Sequence, residues 1–142
     1  MSGFWAGKRV LLTGHTGFKG SWLSQWLADL GAEVYGLALE PDTHPALFDQ
    51  LGLAGRLHHK LGDIRKVDVV RARLLEVQPD VIFHLAAQPL VLASYVDPLL
   101  TWETNVMGTA HVLEAMRGLE KHFAAVMVTT DKVYENHGDA KP

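Results

Sequence analysis

Apolar residues along the chain fall into two alternating patterns. Short apolar runs predict strands, and longer stretches with apolar residues at helical spacing predict helices. The strands are predicted at 9–13, 33–39, 81–85 and 124–128, with a weaker one at 57–61. Helices are predicted at 18–30, 66–77 and 99–117, with a short helical piece at 46–53. This alternation predicts an α/β fold, a doubly wound parallel sheet with helices on both faces, ending after about five strands.

A glycine-rich turn joins the first strand to the first helix. Gly14, Gly17 and Gly20 follow the spacing G-x-x-G-x-x-G. The first allows a tight turn, the second lets a pyrophosphate approach the backbone, and the third lets the helix pack against the strand. The helix N-terminus then offers free N–H groups to phosphate. This predicts a Rossmann-type dinucleotide site, the alternative being an ordinary strand-to-helix turn without a ligand.

Small and polar clusters follow the other strands. They are Asp63-Ile64-Arg65, Ala86-Ala87-Gln88 and Thr129–Lys132. Because ligands of such sheets gather at the carboxyl ends of the strands, we expect these clusters and the glycine turn to face one crevice.

Composition excludes several classes of function. The 142 residues carry a formal charge of −3, which gives no reason to expect a nucleic acid or membrane partner. The chain contains no cysteine, so disulfide and thiolate chemistry are excluded. The N-terminus lacks the apolar stretch of a secretory signal, so a cytoplasmic location is expected. The adjacent His58 and His59 would point to opposite faces of a strand, so no metal site is expected among the eight histidines.

Other conspicuous side chains have structural interpretations. His84 lies in a buried strand and is expected to be a hydrogen-bonded core histidine. Asn105 is expected to bond backbone from its helix. Trp22, Trp26 and Trp102 recur at helical spacing, which favours core positions facing the sheet.

Several ordered motifs together resemble one family. They are Thr-Gly-x-x-Gly-x-x-Gly at 13–20, Gly-Asp-Ile-Arg at 62–65, His-Leu-Ala-Ala at 84–87, Thr-Asn-Val-x-Gly-Thr at 104–109 and Thr-Thr-Asp-Lys-Val-Tyr at 129–134. The whole chain resembles the extended short-chain dehydrogenase/reductases, which include the nucleotide-sugar epimerases and dehydratases. The stretches 14–22, 87–91 and 130–136 resemble the CDP-glucose 4,6-dehydratase subfamily.

The resemblance implies NAD as cofactor, a nucleotide sugar as substrate, and roles for individual residues. Thr130 would bond the sugar C4 oxygen, Asp131 would protonate the departing C6 hydroxyl, and Lys132 would act at C5. Lysine is ordinarily protonated at neutral pH, so Lys132 would need a lowered pKa to act as a base. The implied cofactor-binding residues are Gly14, Thr16, Gly17, Phe18, Gly20, Asp63, Ile64, Leu85, Ala86, Ala87, Gln88 and Thr129.

The chain departs from the family pattern in two places. No Tyr-x-x-x-Lys pair is present, so residues 1–142 are expected to be the NAD-binding portion of a larger enzyme, inactive without its substrate lobe. The family implies a homodimer, formed partly by helix 99–117. Ala38 stands where an acid ordinarily holds the adenosine ribose, with Glu40 two residues later, and NAD is still preferred over NADP. A sugar epimerase or reductase and a non-catalytic NAD-binding module remain alternatives.

Overall fold

A four-stranded parallel sheet organises the molecule. The computed structural model describes residues 3–130. The strands are β1 Arg9–Thr13, β2 Glu33–Leu37, β3 Val81–His84 and β4 Ala124–Met127, in the spatial order β2-β1-β3-β4. In the centre of the sheet Val10 lies opposite Val34 on one side and Val81 on the other. The parallel sheet predicted from the alternating pattern is therefore confirmed.

Helices and turns connect the strands. The elements are α1 Phe18–Asp29, α2 Leu47–Gln50, a 3₁₀ turn Leu53–Gly55, α3 Val67–Val77, α4 Val91–Val96, α5 Pro98–Trp102, a π-helical segment Glu103–Met107 and α6 Gly108–Met116. The predicted helix at 99–117 is present as α5, the π segment and α6 in direct succession. The short helix α4 was not predicted. None of the helices between residues 3 and 130 has the length and apolar character needed to cross a membrane.

Adjacent residues of β1 point into two separate cores. Val10 packs with Leu27 of α1 on one face of the sheet. Leu11 packs on the other face, among α3 and α6 residues that include Leu74 and Val112. This alternation follows from strand geometry and places helices on both faces, as predicted.

The weak strand predicted at 57–61 is only partly formed. It makes two isolated parallel bridges to the free edge of β2, Tyr35 with His58 and Ala38 with Leu61. Between the bridges, the Gly36 carbonyl oxygen accepts from Arg73 Nη2 at 3.2 Å instead of from the backbone of this segment. A side-chain donor thus occupies the acceptor that a regular parallel ladder would use, which accounts for the interruption.

The prediction that three tryptophans face the sheet is wrong. The exposed fractions of Trp22, Trp26 and Trp102 are 53%, 65% and 65%. Helix α1 turns its small residues to the sheet instead, with Gly20 and Ser24 buried. Because Trp22 and Trp26 lie about half a helical turn away from that stripe, they project outward.

Candidate functional site

The glycine turn lies at the carboxyl edge of the sheet, against the segment that follows β3. Gly14 has a φ of +76°, and a Cβ there would come within 2.7 Å of the Ala86 backbone nitrogen. A Cβ on Gly20 would collide with the Gly14 carbonyl oxygen. These two glycines are therefore required for contacts within the chain. Gly17 is different, because its Cβ would lie 3.4 Å from the Gly14 oxygen, so close internal packing does not account for it.

The N-terminus of α1 opens beside Gly17. Gly17 is the N-cap and supplies no side-chain acceptor, and no acidic residue lies in the first turn. The first N–H groups of a helix have no partner within it and carry the positive end of its dipole. An exposed glycine beside such N–H groups suits a diphosphate that approaches closely, so these residues fit the pyrophosphate of NAD.

The end of β2 lies beside the glycine turn and is apolar where the family usually carries an acid. The Thr16 hydroxyl donates to the Leu39 carbonyl oxygen at 2.9 Å, which joins the turn to this strand end. Ala38 is only 5% exposed. Its N–H donates to the Lys60 carbonyl, and its carbonyl accepts from the Gly62 N–H. Position 38 therefore offers no group to a ribose.

Asp63 lies beyond β2 and is held by an arginine two residues later. Its Oδ2 is 2.6 Å from Arg65 Nη2, and its Oδ1 accepts from the Arg65 backbone N–H at 2.9 Å. Hydrogen bonds from the Arg65 side chain hold the pKa of the Asp63 carboxyl below its ordinary value. The neighbouring Ile64 is 4% exposed and belongs to the core between α3 and α6. The adenine contacts expected of Asp63 and Ile64 remain predictions.

The segment after β3, Leu85 to Gln88, is clamped by an amide from the π segment. Asn105 Oδ1 accepts from the Gln88 N–H at 2.7 Å, and Asn105 Nδ2 donates to the Gln88 carbonyl oxygen at 3.0 Å. Gln88 Nε2 also donates to Thr101 Oγ1 at 2.9 Å. The expected bonding of Asn105 to backbone is confirmed, and it fixes the position of a predicted cofactor segment.

His84 ends β3 as a hydrogen-bonded core histidine, as expected. Its Nδ1 lies 2.7 Å from Thr13 Oγ1, and its Nε2 lies 2.9 Å from Thr109 Oγ1. Burial lowers the pKa of His84 to about 4, because the charged ring would lose its hydration. The ring is therefore neutral at physiological pH.

A second buried histidine was missed by the sequence reasoning. His15 is 0% exposed, and its Nε2 lies 2.7 Å from Nδ1 of His59. Burial, with a smaller contribution from the charge of His59, lowers the pKa of His15 to about 4. Its ring occupies the space above Gly36, where a Cβ would lie within 2.5 Å of three ring atoms. A glycine inside a strand is the sequence signal that could have indicated this close approach.

The segment after β4 reaches the same edge of the sheet. The Val128 N–H donates to the His84 carbonyl at 3.0 Å, and Thr129 and Thr130 follow directly at this edge. Asp131 and Lys132 lie outside the described residues. Across residues 3–130 no group of three histidine, cysteine, aspartate or glutamate side chains could hold a metal ion.

Comparison with known proteins gives consistent matches. The family model described as GDP-mannose 4,6 dehydratase matches residues 11–141. A CDP-glucose 4,6-dehydratase of Salmonella typhimurium is 50% identical over 133 residues, which are 94% of this chain and 37% of that protein. The chain thus spans little more than a third of this relative's length.

Two solved structures share the fold. A UDP-glucose 4-epimerase of Thermus thermophilus, in complex with NAD, is 32% identical with a TM-score of 0.60, covering 80% of this chain and 36% of its own. A UDP-glucose-4-epimerase of Stenotrophomonas maltophila, with bound NAD and formylated UDP-arabinopyranose, has a TM-score of 0.78 at 24% identity, covering 94% and 40%. The fold, the glycine turn and the match over residues 11–141 together establish that the chain belongs to the GDP-mannose 4,6-dehydratase family of nucleotide-sugar dehydratases and epimerases.

Proposed function

We propose that this chain is the NAD-binding portion of a nucleotide-sugar 4,6-dehydratase that converts CDP-glucose to CDP-4-keto-6-deoxyglucose. The relative at 50% identity carries the name CDP-glucose 4,6-dehydratase, which supports this choice of substrate. The NAD in the complex of the Thermus thermophilus epimerase supports the choice of cofactor.

The observation that carries the proposal is the backbone contact between the glycine turn and the segment after β3. Gly14 lies so close to Ala86 that no side chain fits between them, and α1 begins at Phe18, directly after the N-cap Gly17. Gly17, the N-cap of α1, has no such close internal contact and leaves room for a diphosphate, while Ala86, Ala87 and Gln88 would continue along the nicotinamide ribose. Leu85, Thr16 and Phe18 complete the proposed contacts around the glycine turn.

NAD, when bound, supplies a reversible hydride acceptor beside the sugar. In the proposed complex Asp63 and Ile64 would hold the adenine, and Thr129 would contact the nicotinamide. Thr130 positions the C4 oxygen of the sugar. Asp131 donates a proton to the C6 hydroxyl as it leaves, and Lys132 acts at C5.

The Asp131-Lys132 pair favours a dehydratase over an epimerase of the same fold. Elimination of water requires an acid for the departing hydroxyl, and a carboxylic acid meets that requirement directly. An epimerase only inverts a centre and has no leaving hydroxyl to protonate. The retained Thr130-Asp131-Lys132 sequence likewise favours a catalytic protein over a module that only binds NAD.

The test is to incubate the full-length protein with CDP-glucose that carries deuterium at C4. A dehydratase gives a product lighter by one water, with the deuterium at C6. GDP-mannose and UDP-glucose serve as matched control substrates, and we expect at least about tenfold lower kcat/KM for them, equivalent to about 1.4 kcal/mol of discrimination. A product of unchanged mass with one inverted centre would identify an epimerase. Cofactor binding without turnover of any of the three sugars would favour the binding module.

A further inference from the structure

An unbroken chain of hydrogen bonds runs from the segment after β3 to the π segment, on the face of the sheet that α6 covers. The Ala86 N–H donates to Thr13 Oγ1 at 3.2 Å, and Thr13 Oγ1 lies 2.7 Å from His84 Nδ1. On the other side of the ring, Nε2 lies 2.9 Å from Thr109 Oγ1, which lies 2.8 Å from the Asn105 carbonyl oxygen. Three polar side chains therefore connect two backbone groups that belong to different layers.

The position of each hydrogen in this chain follows from its two ends. The Asn105 carbonyl can only accept, so the hydrogen between it and Thr109 Oγ1 is the threonine hydroxyl hydrogen. Thr109 Oγ1 has no second hydrogen to give, so its contact with His84 requires a hydrogen on Nε2. The structure thus fixes the His84 end that faces α6 as the donor.

The remaining hydrogens are then determined. A neutral imidazole carries one N–H, so His84 Nδ1 is an acceptor and takes the hydroxyl hydrogen of Thr13. Thr13 Oγ1 keeps a free lone pair, which accepts the Ala86 N–H. The Thr13 carbonyl accepts the N–H of Leu85 at 3.2 Å. The hydroxyl and the carbonyl of Thr13 therefore both bind the start of the segment after β3.

We propose that His84, held as the neutral tautomer protonated at Nε2, is a positioning residue for the cofactor, because it orients Thr13 and thereby seats Ala86 against Gly14. The proposal rests on the proposed function, since Gly14 and Ala86 bound the proposed dinucleotide site. His84 itself touches neither the cofactor nor the substrate. It acts through the Thr13 hydroxyl.

The nitrogen that carries the imidazole hydrogen decides how the Thr13 hydroxyl is oriented. A hydrogen on Nδ1 would point at Thr13 Oγ1 and force its hydroxyl hydrogen away, and that oxygen would then accept from both Nδ1 and the Ala86 N–H. The displaced hydroxyl hydrogen would lose its acceptor in a buried setting, which is unfavourable. The lowered pKa of His84 keeps the ring neutral and so preserves the arrangement at physiological pH.

The first test is the ¹⁵N NMR spectrum of the imidazoles in the full-length wild-type protein without cofactor. The expected result for His84 is a proton-bearing Nε2 and an unprotonated Nδ1 at neutral pH. A His84→Asn sample assigns the resonances. A proton on Nδ1 at neutral pH would overturn the proposal, and this result does not depend on whether NAD binds.

The second test compares two amide variants of the full-length protein by NAD affinity and melting temperature. In His84→Asn the side-chain oxygen stands at the distance of Nδ1 from the backbone and can accept from Thr13. In His84→Gln the amide nitrogen stands at the distance of Nε2 and can donate to Thr109, while the acceptor for Thr13 is lost. We expect His84→Gln to weaken NAD binding about fivefold and His84→Asn to weaken it much less, since one neutral hydrogen bond is worth about 1 kcal/mol.

The outcomes separate this proposal from a purely structural role and from failure of the proposed function. Equal weakening of NAD binding in both variants, in proportion to their loss of melting temperature, would show that His84 only stabilises the core. A wild-type protein that binds no NAD would refute the proposed function and the cofactor role together, while the tautomer would still be read from the spectrum. Should either variant fail to fold, the wild-type spectrum decides.

Discussion

Two buried histidines flank the carboxyl end of β1 and differ in what surrounds them. Both have a pKa lowered to about 4 by burial. His84, on the β3 side, lies between two threonine hydroxyls whose hydrogens have a single consistent arrangement. His15, on the β2 side, bonds the partly exposed ring of His59. The comparison shows that the groups around His84 are hydroxyls that carry no charge, whereas the ring that bonds His15 is a second imidazole.

The glycines on the two sides also differ in what they contact. Gly14 faces the backbone of Ala86, and Gly36 faces the ring of His15. A backbone contact has no side chain that can move aside or be removed. A contact with a ring can be relieved by changing the ring. The two sides are therefore expected to respond differently to the same substitution.

The largest expected effect is that of Gly14→Ala. Its Cβ would come within 2.7 Å of the Ala86 nitrogen and 2.8 Å of the Ala86 Cα, at a φ of +76°. The left-handed conformation costs about 1–2 kcal/mol and overpacking about 1–3 kcal/mol more. We expect the free energy of unfolding, measured by urea denaturation of the full-length protein, to fall by about 2–5 kcal/mol, with NAD binding lost.

Gly52→Ala is the matched control for Gly14→Ala. Gly52 also has a positive φ, +60°, but nothing lies within 4 Å of its Cβ position. The Gly52→Ala variant measures the free-energy cost of a positive φ alone. The difference in unfolding free energy between the two variants therefore measures the contact of position 14 with Ala86. Equal losses of stability in the two variants would contradict the close backbone contact between the glycine turn and the segment after β3.

A smaller effect is expected for Gly36→Ala on the β2 side. Its Cβ would lie within 2.5 Å of three ring atoms of His15 and should cost about 1–3 kcal/mol of unfolding free energy in urea denaturation. Replacing His15 by alanine in the same protein removes the obstacle, so we expect the double variant to lose less than the sum of the single losses. Gly55→Ala, with nothing within 4 Å of its Cβ position, is the control. A loss of unfolding free energy in the double variant equal to the sum of the two single losses would contradict the contact between position 36 and the His15 ring.

The sequence predicts those features that depend on local pattern. The four strands, the glycine turn and the placement of helices on both faces follow from periodicity and from the special conformations of glycine. Asn105 and His84 were expected to be hydrogen-bonded because polar side chains in buried elements need partners. The tryptophans were misplaced because bulky apolar residues at helical spacing resemble a core stripe. The stripe that packs on the sheet here consists of small residues such as Gly20 and Ser24.

Contacts between distant segments could not be read from the sequence. His15 and His59 are 44 positions apart, and neither local pattern indicates that their rings meet. The same limit applies to Thr13, which lies 71 positions from His84. Such pairs follow only from the spatial order of the strands, which brings β2 and β3 to opposite sides of β1.

The smallest expected effect is that of His59→Gln on the acid sensitivity of the β2 side. The pKa of His15 is lower in the folded protein than its ordinary value of 6.5, so its contribution to stability is complete above about pH 6.5 and is lost as the pH falls towards 4. Glutamine cannot be charged, which removes the repulsion from His59, although burial remains the main cause of the shift. We therefore expect the pKa of His15 to rise but stay below 6.5, and the loss of unfolding free energy between pH 7 and pH 5 to shrink by less than about 1 kcal/mol.

NMR titration of His15 and urea denaturation at the two pH values provide the measurements. His58→Gln is the neighbouring control, because the ring of His58 stacks on Tyr35 with the ring centroids 4.3 Å apart. An unchanged His15 titration in His59→Gln, or the same change in both variants, would show that the rings of His15 and His59 do not interact. A shift confined to His59→Gln, with the His84 titration unaltered, would establish that the β2 side responds to charge independently of the β3 side. Burial would then be the main cause of the lowered pKa of both histidines, and the neighbouring ring of His59 would add a second, smaller contribution to that of His15 alone.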